Sequence, residues 1–351
     1  MNDFAQQDNA SDIAVTWADK THSFIKNEQV AMVPALTPPY AALMNVYGAR
    51  IGLTSDGVGT KVEVAERMKR WSTLGFDLCA MVVDDLAAGG YEPVAITNVL
   101  DVNALDLAVV RELMSGLHEA CRISGVAIAG GETAELGGRV GGYGDSMHAN
   151  WCATALGVLR PGWEVIDGRS ARAGDVIITL RSQGFRSNGF TLARRILEAA
   201  YGPDWHLQSF EGQAWGDLLL TPCDLYCPFV TALRTTGIEA TGFAHITGGG
   251  LANKLGRTLR PNGLGATIHT PQPIPPAMAE LARLGRVPAA QAYTNWNMGQ
   301  GFCALVRAED VDRTLAVAHA MSLSPLVSGA VTTYKELLVH SSLGVVKTEL
   351  S

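Results

Sequence analysis

The sequence predicts a two-domain α/β (α+β) protein. Two observations carry the prediction. Apolar strand-like runs alternate with helix-like runs along most of the chain, as layered α/β folds require. A polar, glycine-rich stretch, RPGWEVIDGRSARAGD (Arg160–Asp175), then separates two such blocks. At 351 residues the chain is long enough for two ordinary cores. The expected organisation is a flexible tail over 1–15, an N-terminal domain over 16–168 and a C-terminal domain over 169–351.

In the first block, Ala49–Ser55 reads as a strand and Phe76–Gly90 as a buried helix that stops at glycine. Pro93–Val102 is a strand. Asp106–Gly125 is an amphipathic helix, again with a glycine stop. VAIAGGETAEL (Val126–Leu136) reads as a short strand running into a polar glycine-rich turn, and Cys152–Leu159 as another strand. The second block offers strand DVIITL, helix FTLARRILEAA, helix DLYCPFVTALRTTG and loop HITGGG. Helix LANKLGRTL and strands GATIH, FCALVRAE and PLVSGAVT follow, with a helix at 311–321 between the last two.

Charged residues make up 17% and hydrophobic ones 47%, a globular balance. A net charge of −7 argues against broad binding to nucleic acid or anionic membranes. The six cysteines form no CxxC pair and read as buried thiols of a reducing, cytoplasmic compartment. Cys223 and Cys227 have no local histidine to complete a metal set. The N-terminus has no signal-peptide pattern, and no apolar run reaches the ~18 residues of a membrane span.

The chemistry starts at LTSDGVGTKVEVA (Leu53–Ala65). Gly52 and Gly57 have P-loop spacing, but Val58 stands where the lysine is required and Lys61 comes later. Asp56 adds a carboxylate, which repels a polyphosphate unless a divalent cation lies between them. The functional reading is a magnesium-bridged phosphate site with Asp56 as ligand and Lys61 as counter-charge. The bland reading is a strand-to-helix turn capped by Asp56. Further acids sit in VVDDLAAGG (Asp84, Asp85) and AGGETAEL (Glu132, Glu135). Two carboxylates in an apolar helix need compensation, from a metal or from caps. The loops Gly184–Phe190, His245–Gly250 and Asn297–Gly301 read either as anion sites or as tight turns. In the first, Ser187 or Asn188 is the expected helix cap.

DGVGTK, the paired aspartates before GxEP, GGETAE, SNG, AHITGGG and NMGxG occur in this order between Gly52 and Val306. This set resembles the aminoimidazole ribonucleotide synthetase family, the phosphoribosylformylglycinamidine cyclo-ligases. The resemblance implies a homodimer whose N-terminal domains pair their strands into a barrel, and a C-terminal α/β sandwich with a mixed sheet. ATP would lie in a cleft between the domains. The implied reaction phosphorylates the formamide oxygen of formylglycinamidine ribonucleotide, and a substrate nitrogen then closes the ring. By motif, Asp56, Asp85 and Glu132 would hold Mg2+ on the triphosphate. Gly57, Gly59, Thr60, Lys61, Gly131, Asn188, Thr247 and Gly248 would bind nucleotide or substrate. Lys61, Asp85 and His245 would be catalytic, His245 as proton carrier or charge stabiliser; a capping or core histidine is its bland alternative.

The chain departs from that pattern in places. A proline-rich segment, Val33–Leu43, replaces a glycine-rich lid and cannot offer the same run of N–H donors. Lys20 and Lys26 are candidates to replace a lid contact. Asp84 stands for the usual Asn, Arg186 for the usual His and Asp224 for the usual Arg, so Arg186 is a candidate new anion contact. These changes keep two alternatives in view: a superfamily enzyme with a different amide or phosphorylated substrate, and a non-catalytic nucleotide-binding relative.

Overall fold

Residues 3–33 and 40–350 are described by the structure, a computed structural model, with side chains described from residue 12 onward. Helix α1 (Asp3–Thr21) stands where a loose tail is expected, with Lys20 in its last turn to complement the helix dipole. Every side chain from Asp12 to Lys20 is exposed, and the Lys20 ammonium lies over the ring of Trp17 rather than at a ligand cleft. Strands β1 (Val30–Met32) and β2 (Ala42–Val46) pair antiparallel. Most of the proline-rich segment between them, residues 34–39, lies outside the described residues; its flanks meet where the Val33 N–H donates to the Leu43 carbonyl at 2.9 Å.

The first domain continues through β3 (Ala49–Gly57), α2 (Val62–Met68), α3 (Thr73–Ala88), β4 (Glu92–Val102), α4 (Leu107–Ser124), β5 (Ala127–Glu135) and β6 (Ala149–Val158). Its six-stranded sheet has the order β1-β2-β3-β6-β4-β5, with only β4 and β5 parallel among the described strands. GGETAE is not a turn: it lies within β5, where the pairing with β4 skips a residue before Gly130. Such a bulge absorbs the glycine without ending the strand.

Helices α3 and α4 cover one face of this sheet. α4 is delimited as its sequence suggests. The Asp106 carboxylate accepts the Ala108 and Val109 N–H groups at 2.8 and 3.3 Å, and Gly125 closes the far end at φ 71°. The two helices touch through glycines: a Cβ on Gly116 would sit 1.7 Å from the Ser72 carbonyl oxygen, and one on Gly75 would sit 2.0 Å from the Leu117 nitrogen. Gly116→Ala is therefore expected to force the helices apart and lower stability by about 2–3 kcal/mol, readable as a shifted urea midpoint. The opposite sheet face is bare. Ser55, Thr97, Val99, Glu132, Cys152 and Thr154 are exposed there, so Cys152 departs from the expectation of buried thiols; the other five cysteines are buried.

The chain crosses to the second domain over residues 159–175. There β7 (Val176–Arg181), α5 (Phe190–Tyr201), the hairpin β8 (Ser209–Phe210) and β9 (Gln213–Ala214), α6 (Trp215–Leu219) and α7 (Cys227–Thr235) follow in turn. After them come β10 (Gly242–His245), α8 (Gly250–Leu259), β11 (Gly265–Ile268), α9 (Pro276–Leu284), α10 (Ala289–Asn295), β12 (Gln300–Val306), α11 (Val311–Ala320), β13 (Pro325–Thr332), β14 (Glu336–Ser341) and β15 (Gly344–Glu349). The sheet order is β10-β12-β7-β13-β11-β14-β15, and it is mixed because β11 and β14 run parallel. β12 is buried at every position, which marks the middle of the core. Helix α7 starts three residues later than its sequence suggests. Residues 221–226 run without helix past α3, and the reason lies in the contacts α3 makes with them.

Candidate active site between the two domains

Helix α3 carries aspartates at 77, 84 and 85. The spacing of seven between the first two is two helical turns, which puts both on the face that meets the second domain. Both are fully buried. Asp84 Oδ1 accepts the N–H groups of Tyr226 and Cys227, each at 2.8 Å, at the start of α7, and its Oδ2 lies 3.2 Å from Arg186 Nη2. Asp77 accepts the Cys223 N–H at 3.1 Å and pairs with Lys61 Nζ at 2.8 Å. The compensation that a buried carboxylate pair requires is thus a helix N-terminus, an arginine and a lysine. These same contacts hold residues 221–226 out of helical form.

Lys61 is therefore not a counter-charge facing a phosphate in this structure. It is fully buried, and its ammonium also donates to the Thr221 carbonyl at 2.8 Å, tying the two domains together. A lysine followed by a short helix in an otherwise apolar block can be drawn inward wherever an acid waits for it, and Asp77 does.

Asp85 turns the other way and keeps 13% of its side chain exposed. Its Oδ1 is 2.7 Å from His245 Nδ1. His245 ends β10 and is fully buried, so in this structure its ring faces protein groups and not solvent. Arg186 Nη2 lies 2.5 Å from its Nε2. A guanidinium can only donate, so Nε2 accepts and Nδ1 carries the proton that goes to Asp85. Burial first, and the Arg186 charge second, hold the His245 pKa below its ordinary value.

Asp56 is the second-last residue of β3, and its Oδ1 accepts the N–H of Gly57 at 2.7 Å. The residue as a whole is exposed, but protein crowds its carboxyl. That partial desolvation, with Asp85 adding to it, pushes its carboxyl up to about 6. Lys254 on α8 feels both acids. Burial and then Arg257 lower its pKa, while Asp85 and Asp56 oppose the shift. Tyr40, buried at the end of the proline-rich segment, donates to the Lys254 carbonyl at 3.2 Å, and its ring centre lies 5.0 Å from the Arg257 guanidinium carbon. Lys254, Arg257, Tyr40 and Asp77 escape a reading by motif. The signal for the two cations is their position, one and two turns after the glycines of HITGGG.

Glu132 is not with the other two acids. Along the sheet, Gly57 pairs with Cys152, Cys152 with Val99 and Val99 with Glu132. Three strand spacings of about 4.8 Å put Glu132 roughly 14 Å from the end of β3. Its carboxylate accepts the Thr133 N–H at 3.0 Å instead. Among the described residues, no group of three His, Cys, Asp or Glu side chains is close enough to hold a metal ion. Gly131 serves the sheet, since a Cβ there would lie 2.4 Å from the Asn98 carbonyl oxygen. Gly59 sits at φ 66° with open space beside it, and Thr60 is exposed, so this part of the DGVGTK loop is accessible.

Two glycine loops of the second domain lie side by side. Asn188 Oδ1 would be 3.1 Å from a Cβ on Gly248, which brings SNG against HITGGG, and Thr247 is buried between them. Neither Ser187 nor Asn188 caps α5; the capping position is Gly189, without a side-chain bond. The Asn188 amide nitrogen is buried and has no hydrogen-bond partner among the described residues. Asn297 of NMGQG braces this region by donating to the Gly184 carbonyl at 2.8 Å.

Comparison with known proteins bears on the fold and the family. Residues 40–158 match the model of the AIR synthase related protein N-terminal domain, and residues 172–334 match that of the C-terminal domain. The chain is 38% identical over 280 residues to a phosphoribosylformylglycinamidine cyclo-ligase of Thermococcus kodakarensis, covering 80% of this chain and 79% of that one. It is 33% identical over 306 residues to the Methanocaldococcus jannaschii protein of the same name, covering 87% and 85%. Among solved structures, the HypE–HypF complex contains a chain that superposes with a TM-score of 0.65 at 18% identity, covering 97% of this chain and 98% of that one. Thiamine-monophosphate kinase of Stenotrophomonas maltophilia gives 0.57 at 16% identity, covering 91% and 93%. At those identities the solved structures speak for the fold alone. With both domain models matched in order over most of its length, this chain belongs to the AIR synthase related protein family.

Proposed function

We propose that this chain is an ATP-dependent cyclo-ligase that closes formylglycinamidine ribonucleotide to aminoimidazole ribonucleotide. The observation that carries the reading is its identity, above 30% over most of the chain, to relatives bearing that name, joined to the acids Asp56 and Asp85 of the first domain beside Lys254 of the second. An amide oxygen is a poor leaving group and becomes a good one as phosphate. Phosphoryl transfer asks the protein for positioning and charge neutralisation more than for covalent help.

The residues fit a divalent cation. The Asp85 charge adds to the cost of ionising Asp56, and among the described residues each carboxylate has one hydrogen-bond partner, the Gly57 N–H for Asp56 and His245 for Asp85. Mg2+ held there would neutralise charge on the triphosphate. Glu132 would join only across a subunit boundary. Lys254 and Arg257 supply positive charge beside the acids, the role that the sequence pattern gives to Lys61. Gly57, Gly59 and Thr60 line the nucleotide side of the cleft. Asn188, Thr247 and Gly248 line the substrate side, where the unpartnered Asn188 amide offers a donor to a phosphate or carbonyl oxygen.

A homodimer whose first-domain sheets face each other would cover Val99, which is 45% exposed beside Thr97, Cys152 and Thr154. Val99→Lys is expected to convert a dimer to a monomer in light scattering after gel filtration, with unchanged circular dichroism. The free, mostly buried cysteines fit a cytoplasmic enzyme, and among the described residues no helix is long and apolar enough to cross a membrane.

The test of activity is direct. Purified protein with formylglycinamidine ribonucleotide and Mg-ATP should release ADP and aminoimidazole ribonucleotide in equal amounts. ATP binding without ring closure would reject the cyclo-ligase reading.

A further inference from the structure

Arg186 stands at the centre of a buried polar network that this reading of the site leaves unused. The residue is 1% exposed and adopts φ 58°, a left-handed conformation costly for a side chain of its size. Its Nη1 donates to the Asp224 carbonyl at 3.1 Å, while Nη2 faces Asp84 Oδ2 at 3.2 Å and His245 Nε2 at 2.5 Å. The guanidinium carbon lies 5.0 Å from the centre of the Tyr226 ring. The Asp224 carboxylate, in turn, accepts the Gln183 N–H at 3.1 Å, which closes the loop that carries Arg186. Arg186 and Asp224 are thus one device, and Arg186 is not an open anion contact.

We propose that Arg186 is a positioning residue: by donating to His245 Nε2 it fixes the tautomer whose Nδ1–H holds Asp85 toward Asp56 and Lys254. The inference rests on reading Asp56 and Asp85 as the metal–nucleotide carboxylates. Its logic is a chain of donors. Arg186 has no acceptor, so His245 must accept at Nε2 and donate at Nδ1. With the other tautomer, a lone pair would face the Asp85 carboxylate at 2.7 Å and the carboxylate would swing away. A lysine cannot stand in, because one ammonium lacks the planar fork that reaches the Asp224 carbonyl, Asp84 and His245 together.

The first measurement uses the wild-type protein without nucleotide. Among its eight histidines, His245 is assigned in 15N-histidine spectra as the resonance lost in His245→Asn. A neutral Nδ1–H ring at pH 7 is expected; an Nε2–H ring or an imidazolium overturns the proposal whether or not any variant folds. The second uses Arg186→Lys, checked for cooperative melting, and binding of the β,γ-imido analogue of ATP with and without Mg2+. Loss of the pure Nδ1–H tautomer, together with Mg2+-dependent binding weakened about 10–100-fold and metal-free binding unchanged, is expected. Binding that keeps its full Mg2+ dependence after the tautomer is lost overturns it. If the wild type shows the tautomer and Mg2+-dependent binding but forms no imidazole, the cyclo-ligase reading fails while the role of Arg186 stands.

Discussion

Asp56→Asn is expected to reduce ring closure by about 10³-fold or more, the loss that follows removal of a group stabilising transition-state charge, while the protein stays folded. The expected change in stability runs the other way. The Asp56 carboxyl is raised from 3.8 to about 6, so the folded chain holds its proton more tightly than the unfolded chain does. The charged form therefore costs stability, and the cost grows as pH rises from about 4 to above 6. Asparagine carries no such charge. At pH 7 the variant should melt no lower than wild type without ligand, and the difference should shrink toward pH 4. Saturating Mg-nucleotide should reverse the order by stabilising wild type and not the variant. An Asp56→Asn enzyme that keeps wild-type turnover would remove this carboxylate from the chemistry.

What the sequence makes legible follows local rules. Asp106 and Gly125 delimit α4, Asp106 with a carboxylate that bonds neighbouring N–H groups and Gly125 with a left-handed φ. The same holds for the motif loops, whose glycines mark sharp backbone turns. What escapes it depends on partners distant in the chain. Lys61 finds Asp77 and Thr221 across the domain boundary, and no local pattern announces a lysine that turns inward. The late start of α7 is set by Asp84, 142 residues away, which takes the first N–H groups. GGETAE reads as a turn until its parallel neighbour β4 is known, because a bulge lets a strand carry those glycines. Glu132 shares an acidic, glycine-flanked signature with Asp56 and Asp85, but a signature carries no sheet order. Three strands of separation are invisible until β6 and β4 are placed between them.

Lys61 provides the sharpest contrast between motif and fold. If its ammonium served the triphosphate, Lys61→Met would impair nucleotide binding and leave stability nearly untouched. The structure predicts the reverse. Lys61 and Asp77 are both fully buried and paired at 2.8 Å, so removing the lysine leaves an uncompensated carboxylate in the interior. Breaking one side of such a pair typically costs about 3–5 kcal/mol. Lys61→Met should therefore lower the urea midpoint sharply. Adding Asp77→Leu should restore part of that loss, because an apolar pair of similar volume can replace a buried ion pair. The restoration will be incomplete, since the Cys223 N–H and Thr221 carbonyl lose their partners. The deciding reading is the KM for Mg-ATP in the double variant. A value close to that of wild type places Lys61 in the frame that joins the domains; a rise of a hundredfold or more in a stably folded double variant would return the lysine to the phosphates.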